Sequence, residues 1–226
     1  GEQWQLLTVD SWDDTHFKPT KTTLTASGSA CSHISETTLN TYGLASSITE
    51  KGQNSACEDL TARQILFNYT DDGYFPNKIT NAQSHETRFE YDMGFGAITK
   101  QTSPNDIVTT TLLDEIGRPL SVTTTGFPTQ YIRYLVAGTH WMTRTTQAGS
   151  PTQAVYTDSL RRTIRSAIQG FDGTYEYVDK IYDNLGHLTK ESLPYTVTPN
   201  YTEFGDFDAL DRPGWRKLPH GLQSTY

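Results

Sequence analysis

The sequence lacks a basic cluster and a long apolar run, and it is poor in apolar residues. Lysine and arginine number 18 against 26 aspartates and glutamates, giving a net charge of −8 and a pI near 5.2. Nucleic-acid binding demands a basic footprint. The densest basic stretch, Arg161-Arg162 with Arg165, is too short to supply one. No apolar run approaches the roughly twenty residues of a membrane helix, and no secretory leader is visible after Gly1. Apolar residues are 35% of the chain and the mean hydropathy is −0.58, lean for a compact core. A broad sheet with one wet face accounts for that leanness.

The signatures of catalysis are missing too. There is no Gly-x-Ser-x-Gly, no HExxH and no CxxC. His16, His33, His85, His140, His187 and His220 are dispersed. His33 near Cys31 reads as coincidence, and His187 as an exposed polar residue. Gly94-Phe95-Gly96 lacks the third glycine of a dinucleotide loop. Asp206, Asp208 and Asp211, like Asp10, Asp13 and Asp14, form acidic clusters, but without the glycine and distant glutamate of a Ca²⁺ loop. No catalytic, cofactor or metal residue is expected. A carboxylate pair for glycoside cleavage is the weakest alternative, because the aspartates fall in phase with turns. Trp4, Trp12, Trp141 and Trp215 suit either sugar stacking or the covering of an apolar patch. Asn68 and Asn200 head glycosylation sequons, which matter only in a eukaryotic secretory pathway.

What the chain has in quantity is threonine, about one residue in six, as expected of exposed strand faces. Its organising stretch is 89–125, where one phrase occurs twice. Tyr91-Asp92 leads to Gly96 and Ala97-Ile98-Thr99, and Leu113-Asp114 leads to Gly117-Arg118 and Leu120-Ser121-Val122-Thr123. An aspartate opening a turn accepts a bond from the amide two residues on, and glycine suits the end of the turn. The β-branched residues around it favour a pleated strand. Pro104-Asn105-Asp106 supplies the opposite reversal. The phrase carries one extra residue at Asp92–Gly96, which predicts a bulge.

Asp92 and Asp114 stand 22 positions apart, Asp158 follows at twice that, and Asp183 and Asp208 at 25 each. Such a period marks a repeat architecture whose units stack because none can bury its own apolar face. The best copies are Asp114-Glu115-Ile116-Gly117-Arg118-Pro119-Leu120 and Tyr182-Asp183-Asn184-Leu185-Gly186-His187-Leu188. They resemble the YD repeat of the RHS family. Residues 69–85 resemble a variant of it, with Phe75-Pro76 before a strand and Asn81 before a turn. The resemblance covers about residue 39 to the C-terminus. Arg161 and Asp211 stand where the turn glycine belongs, and near 135–140 the copy is barely visible.

The resemblance implies an all-β fold of consecutive antiparallel hairpins in one extended, curved and twisted sheet, part of a larger hollow shell. It implies a structural role: bacterial, secreted or cell-surface, enclosing a toxic C-terminal segment. The implied partners are the rest of the shell and its polypeptide cargo. The alternative is a cell-surface adhesion or carbohydrate-binding module. The turn positions it marks are Asp92, Gly96, Asp114, Gly117, Arg118, Asp183, Gly186 and Asp208. The self-cleaving segment that ends such shells has no counterpart here.

In chain order, residues 4–9 and 21–25 read as strands, 11–14 as a turn, 26–30 and 52–55 as loops. Asn40 stands for Asp in a degenerate copy over 39–44. Residues 58–67 suit a short helix by composition, but the array favours a strand over 63–68. The array likewise favours strand for 161–170. Pro194, Pro199 and Pro213 favour turns or edges. Residues 1–60 form an irregular lead-in and 61–226 the array. Its last residues repeat the spacing after Pro104 and put the next aspartate just past Tyr226, the mark of a piece cut from a longer array. Open sheet edges in such a piece tend to self-associate. Cys31 and Cys57 can pair in an exported protein. Their polar, turn-like surroundings make two separate thiols the plainer reading.

Overall fold

The computed structural model describes residues 5–26, 31–54 and 56–225. Trp4, most of the first loop (27–30), Ser55 and Tyr226 lie outside them. Every regular element among the described residues is a strand. The chain divides into two compact units, Gly1–Thr111 and Leu112–Tyr226. The first carries β1 (Gln5–Asp13), β2 (Lys18–Ala26), β3 (Ser32–Leu39), β4 (Ala45–Lys51), β5 (Arg63–Tyr69), β6 (Pro76–Thr80), β7 (Glu86–Asp92), β8 (Ala97–Thr102) and most of β9 (Val108–Leu113). The second carries β10 (Pro119–Thr124), β11 (Gln130–Ala137), β12 (His140–Gln147), β13 (Gln153–Thr157), β14 (Thr163–Gln169), β15 (Tyr175–Tyr182), β16 (Leu188–Ser192), β17 (Tyr201–Phe207), β18 (Pro213–Lys217) and β19 (Gln223–Thr225).

Within each unit every strand pairs antiparallel with its sequence neighbour. The all-β hairpin array expected from the sequence is what forms. Residues 63–69 are strand, and so are 163–169. Composition allowed helix in both places, but each must supply a ladder partner to the hairpins beside it.

Neither unit has a conventional core. Among the described residues the buried apolar ones are Ala154 and Ala167, each 5% exposed, and no large side chain is fully buried. A compact 25.3-kDa monomer exposes about 10,300 Å², whereas this chain exposes 15,383 Å². Backbone ladders and cross-strand pairs, not layers, therefore hold the strands.

Three local readings are corrected. Residues 11–13 are not a turn. β1 continues through Ser11 and Trp12 to Asp13, and the reversal falls at 14–17. Its irregular register there, between Val9 and Trp12, lets it pair onward with Pro19 and Lys18. Near 135–140 there is no degenerate corner. β11 and β12 stay in register down to Ala137 opposite His140, and Gly138 (φ 65°) opens a two-residue turn. The extra residue of the first phrase lies in the loop 93–96, because Asp92 pairs directly with Ala97. The bulge is a separate feature, and it recurs. One residue is skipped at Ser46, Asn77, Thr99, Ile164 and Thr189, each a short step past a turn. Ser46, Thr99 and Thr189 turn their hydroxyls to carbonyls of the opposite strand, Thr38, Glu90 and Ile181, at 3.1–3.2 Å. A hydroxyl thus partly satisfies a backbone group in the disrupted ladder.

Candidate functional site

The residues singled out by the sequence meet at the corners. At Asp114 the carboxylate Oδ1 accepts from the amides of Ile116 (3.0 Å) and Arg118 (2.8 Å). Its Oδ2 accepts from Arg118 Nε at 2.7 Å. The Gly117 amide donates to the Asp114 carbonyl, and the Asp114 amide to the Arg118 carbonyl. Gly117 takes φ 81°. The same two-amide grip recurs at Asn40, Asn54, Asn81, Asp158, Asp183 and Asp208. A side chain with one acceptor oxygen suffices, which is why asparagine substitutes for aspartate.

The closing residue need not be glycine. Arg161 (φ 64°) and Asp211 (φ 61°) adopt the left-handed backbone that Gly186 (φ 101°) adopts in its own corner, and so do Cys57 and Ser84. Asp92 is built differently. Its Oδ1 accepts from Gly94 and Phe95, and the Gly96 amide reaches back to its carbonyl at 2.8 Å. The Asp13 loop is a relative of it, with Phe17 (φ 53°) in the place of Gly96.

The carboxylate corners carry a further layer, which the sequence reading did not find. Arg118, Arg162 and Arg212 each donate Nε to the aspartate four residues earlier. Arg118 then lies 4.1 Å over the Tyr134 ring and Arg162 4.7 Å over Tyr182. The tyrosine hydroxyls donate onward to strand-start carbonyls: Tyr134 to Pro119 and Tyr182 to Thr163, both 3.1 Å. Tyr69 to Ala45 and Tyr91 to Pro76, both 2.8 Å, are the same bond in the first unit. Each tyrosine thus ties its own hairpin to the preceding one. Three of the four stand immediately before the first turn residue, a signal that was visible in the sequence.

His187 is not an exposed polar residue; its side chain is only 15% exposed. Nδ1 faces Asp183 Oδ2 at 2.8 Å, Nε2 faces Asp211 Oδ1 at 3.0 Å, and the ring stacks on Phe207 at 4.4 Å. It replaces the arginine–tyrosine contact of the Asp114 and Asp158 corners and adds a bond to the next corner.

These contacts explain the ionisation. The His187 ring, then its amide, holds Asp183 below the ordinary carboxylate value, and Arg212 does the same for Asp208. Partial burial is the largest single influence on Asp114 and Asp158 and would raise them, but the combined bonds to Arg118 and Arg162 outweigh it. Asp183 raises His187, with Asp211 adding to it. A second cluster lies on β14 and β15. Arg165 grips Asp179 with two bonds, 2.6 and 2.8 Å, and Tyr195 Oη donates to Asp179 at 2.7 Å. Arg165 holds Asp179 low, while burial first and Asp179 second push Tyr195 up to about 12. Two backbone bonds between Tyr195 and Tyr177 lay the 193–200 connection along β15.

Carboxylates engaged this way face amides and guanidiniums. Among the described residues no three histidine, cysteine or acidic side chains are grouped as metal ligands, and no helix is long and apolar enough to cross a membrane. Cys31 and Cys57 are joined by a disulfide, with Cα atoms 4.8 Å apart. It ties the β2–β3 connection to the β4–β5 connection, where Gln53 Oε1 also accepts from the Ser32 amide. Separate thiols, the plainer sequence reading, are not what the structure holds. Of the tryptophans, Trp141 is 44% exposed with Arg161 5.3 Å over its ring. Trp215 lies against Gly205, where even a Cβ would come within 2.4 Å of the indole.

No family model matches the chain, and no curated protein does. Solved structures do. The crystal structure of TcdB2-TccC3 without its hypervariable C-terminal region aligns with 87% of this chain at a TM-score of 0.50 and 14% identity. A crystal structure of TcdB2-TccC3 aligns with 96% at 0.50 and 12% identity. The chain spans 13% and 21% of those two chains. At such identities the likeness is one of fold.

Proposed function

We propose that this chain is a wall segment of an RHS-type β shell, in which residues 61–226 are repeat array and 1–60 a lead-in. The observation that carries the reading is a long hairpin array with no core of its own, exposing about half as much surface again as a compact monomer. Tyr69, Tyr91, Tyr134 and Tyr182, together with His187, join one hairpin to the next. Such a sheet separates two spaces; it does not build a cleft with convergent catalytic groups. The fold likeness to TcdB2-TccC3 supports a part in a toxin complex. The wall's partners are then the remainder of the same shell and an enclosed polypeptide. The Cys31–Cys57 bond favours an oxidising, extracytoplasmic setting.

A wall tolerates its contents without selecting them. The purified chain, titrated with unfolded and folded polypeptides, is expected to show no tight, sequence-specific capture. Capture near nanomolar affinity would overturn the reading. Saturable binding on a glycan array, lost with Trp141→Ala, would instead favour the adhesion alternative.

A further inference from the structure

Charged cross-strand partners in this protein are matched by sign almost everywhere. Lys21 faces Glu36, Glu50 faces Arg63, Glu90 faces Lys100, Arg165 faces Asp179, Lys180 faces Glu191 and Lys190 faces Glu203. Lys78 opposite Arg88 pairs like with like, but Glu86 lies 3.1 Å from one and 2.7 Å from the other. Arg133 on β11 opposite Arg144 on β12 has no such mediator. Both are exposed, and neither has a hydrogen-bond, ion-pair or ring partner among the described residues. Directly opposed like charges destabilise a ladder, and this ladder is otherwise regular over eight consecutive pairs.

The side-chain alternation puts Tyr131, Arg133 and Leu135 of β11 on one face with Met142, Arg144 and Thr146 of β12. Tyr131, Arg133, Arg144 and Thr146 line a concavity of about 340 Å³. Tyr131 is 56% exposed at its rim. The next residue across from Arg144 is Ala154, too small to cover it and without charge. Two guanidinium forks side by side, with a phenol and a hydroxyl at one end, suit a group with two or three oxygens and negative charge.

We propose that Arg133 and Arg144 form an oxyanion site that takes a carboxylate or phosphate group between their guanidiniums. The site is independent of the wall reading; it depends only on the β11–β12 register. The anion supplies the missing counter-charge, as Glu86 does between Lys78 and Arg88.

The test follows the arginine side-chain Nε–H signals of the full chain during titration at low ionic strength. The probes are malonate, inorganic phosphate and a short glutamate-rich peptide. Saturable shifts at Arg133 and Arg144 are expected, weakening as salt is added. Arg133→Gln and Arg144→Gln should each weaken binding about tenfold or more, the loss of one charge-assisted contact. Arg216→Gln, on the opposite face, should leave it unchanged. Without ligand, Arg144→Gln should melt no lower than the unaltered chain, since it removes a repulsion. Response to the free ions alone identifies a small anion as ligand, and response to the peptide alone an acidic chain. No saturation with any probe, or the same response in the double variant, would overturn the proposal.

Discussion

At the residue scale, the corner separates two jobs that the sequence fuses into one phrase. The acceptor at its start grips two amides; the left-handed residue at its end lets the chain turn back. Gly117 takes φ 81° at no steric cost, whereas Ser84 takes φ 65° against its own Cβ. Left-handed backbone costs an L-residue roughly 1–2 kcal/mol. Gly117→Ala should therefore lower stability by about 1 kcal/mol. Ser84→Gly should raise it by about 0.5 kcal/mol, after the extra freedom of glycine in the unfolded chain is deducted. Urea unfolding of both variants checks the opposite signs.

His187 makes one corner sensitive to pH. Its folded pKa is raised above 6.5, so its contribution is complete below 6.5 and is lost as pH rises through the raised value. Asp183 is lowered below 3.8, so its contribution holds above 3.8 and fails as pH falls through the lowered value. The corner is thus firmest between the two. With only one ring proton, the neutral imidazole cannot donate to both Asp183 and Asp211. The gap in melting temperature between the unaltered chain and His187→Gln should shrink as pH is raised from below 6.5 to well above it. A gap independent of pH would mean that the Phe207 stack alone holds the ring.

At the element scale, the hairpins were legible because their turns are chemically loud. Asp114 and Asp183 combine an acceptor with a glycine three residues on, and a strand rich in β-branched residues follows Asp114. The tight Ala137–His140 reversal was not legible, because its signal is one glycine between two strands. The 58–67 and 161–170 stretches are helix-like by composition, and the strands within them were legible only from their place in the array, since pairing with neighbouring hairpins overrides propensity. Tyr134 donating to Pro119, or Arg162 lying over Tyr182, belongs to the packing of one repeat on the next. No single repeat contains both partners. Neither could the disulfide be read from spacing. Cys31 and Cys57 are 26 residues apart, and only the β3–β4 hairpin between them brings their connections together. Closing a loop of that length is worth about 3.5 kcal/mol in the chain-entropy picture. In a repeat array stability is local. Reduction with dithiothreitol should therefore speed amide exchange in β2 to β5 and leave β14 to β18 unchanged.

At the scale of the whole molecule, the first unit has an open strand edge. Among the described residues β1 pairs with β2 alone, and its Leu6, Leu7 and Val9 are 52%, 62% and 41% exposed. That strand presents an unpaired row of backbone groups together with apolar side chains, the combination that invites another strand. In a shell the neighbouring segment would cover it; in isolation a second copy is the available partner. The purified chain should accordingly show concentration-dependent association by sedimentation velocity. Leu7→Lys should suppress it, because a charge on the edge must be buried before a new strand can pair. The substitution should leave the melting temperature nearly unchanged, since Leu7 is mostly in solvent. Association that persists in Leu7→Lys would place the contact elsewhere, on an open face and not on the β1 edge.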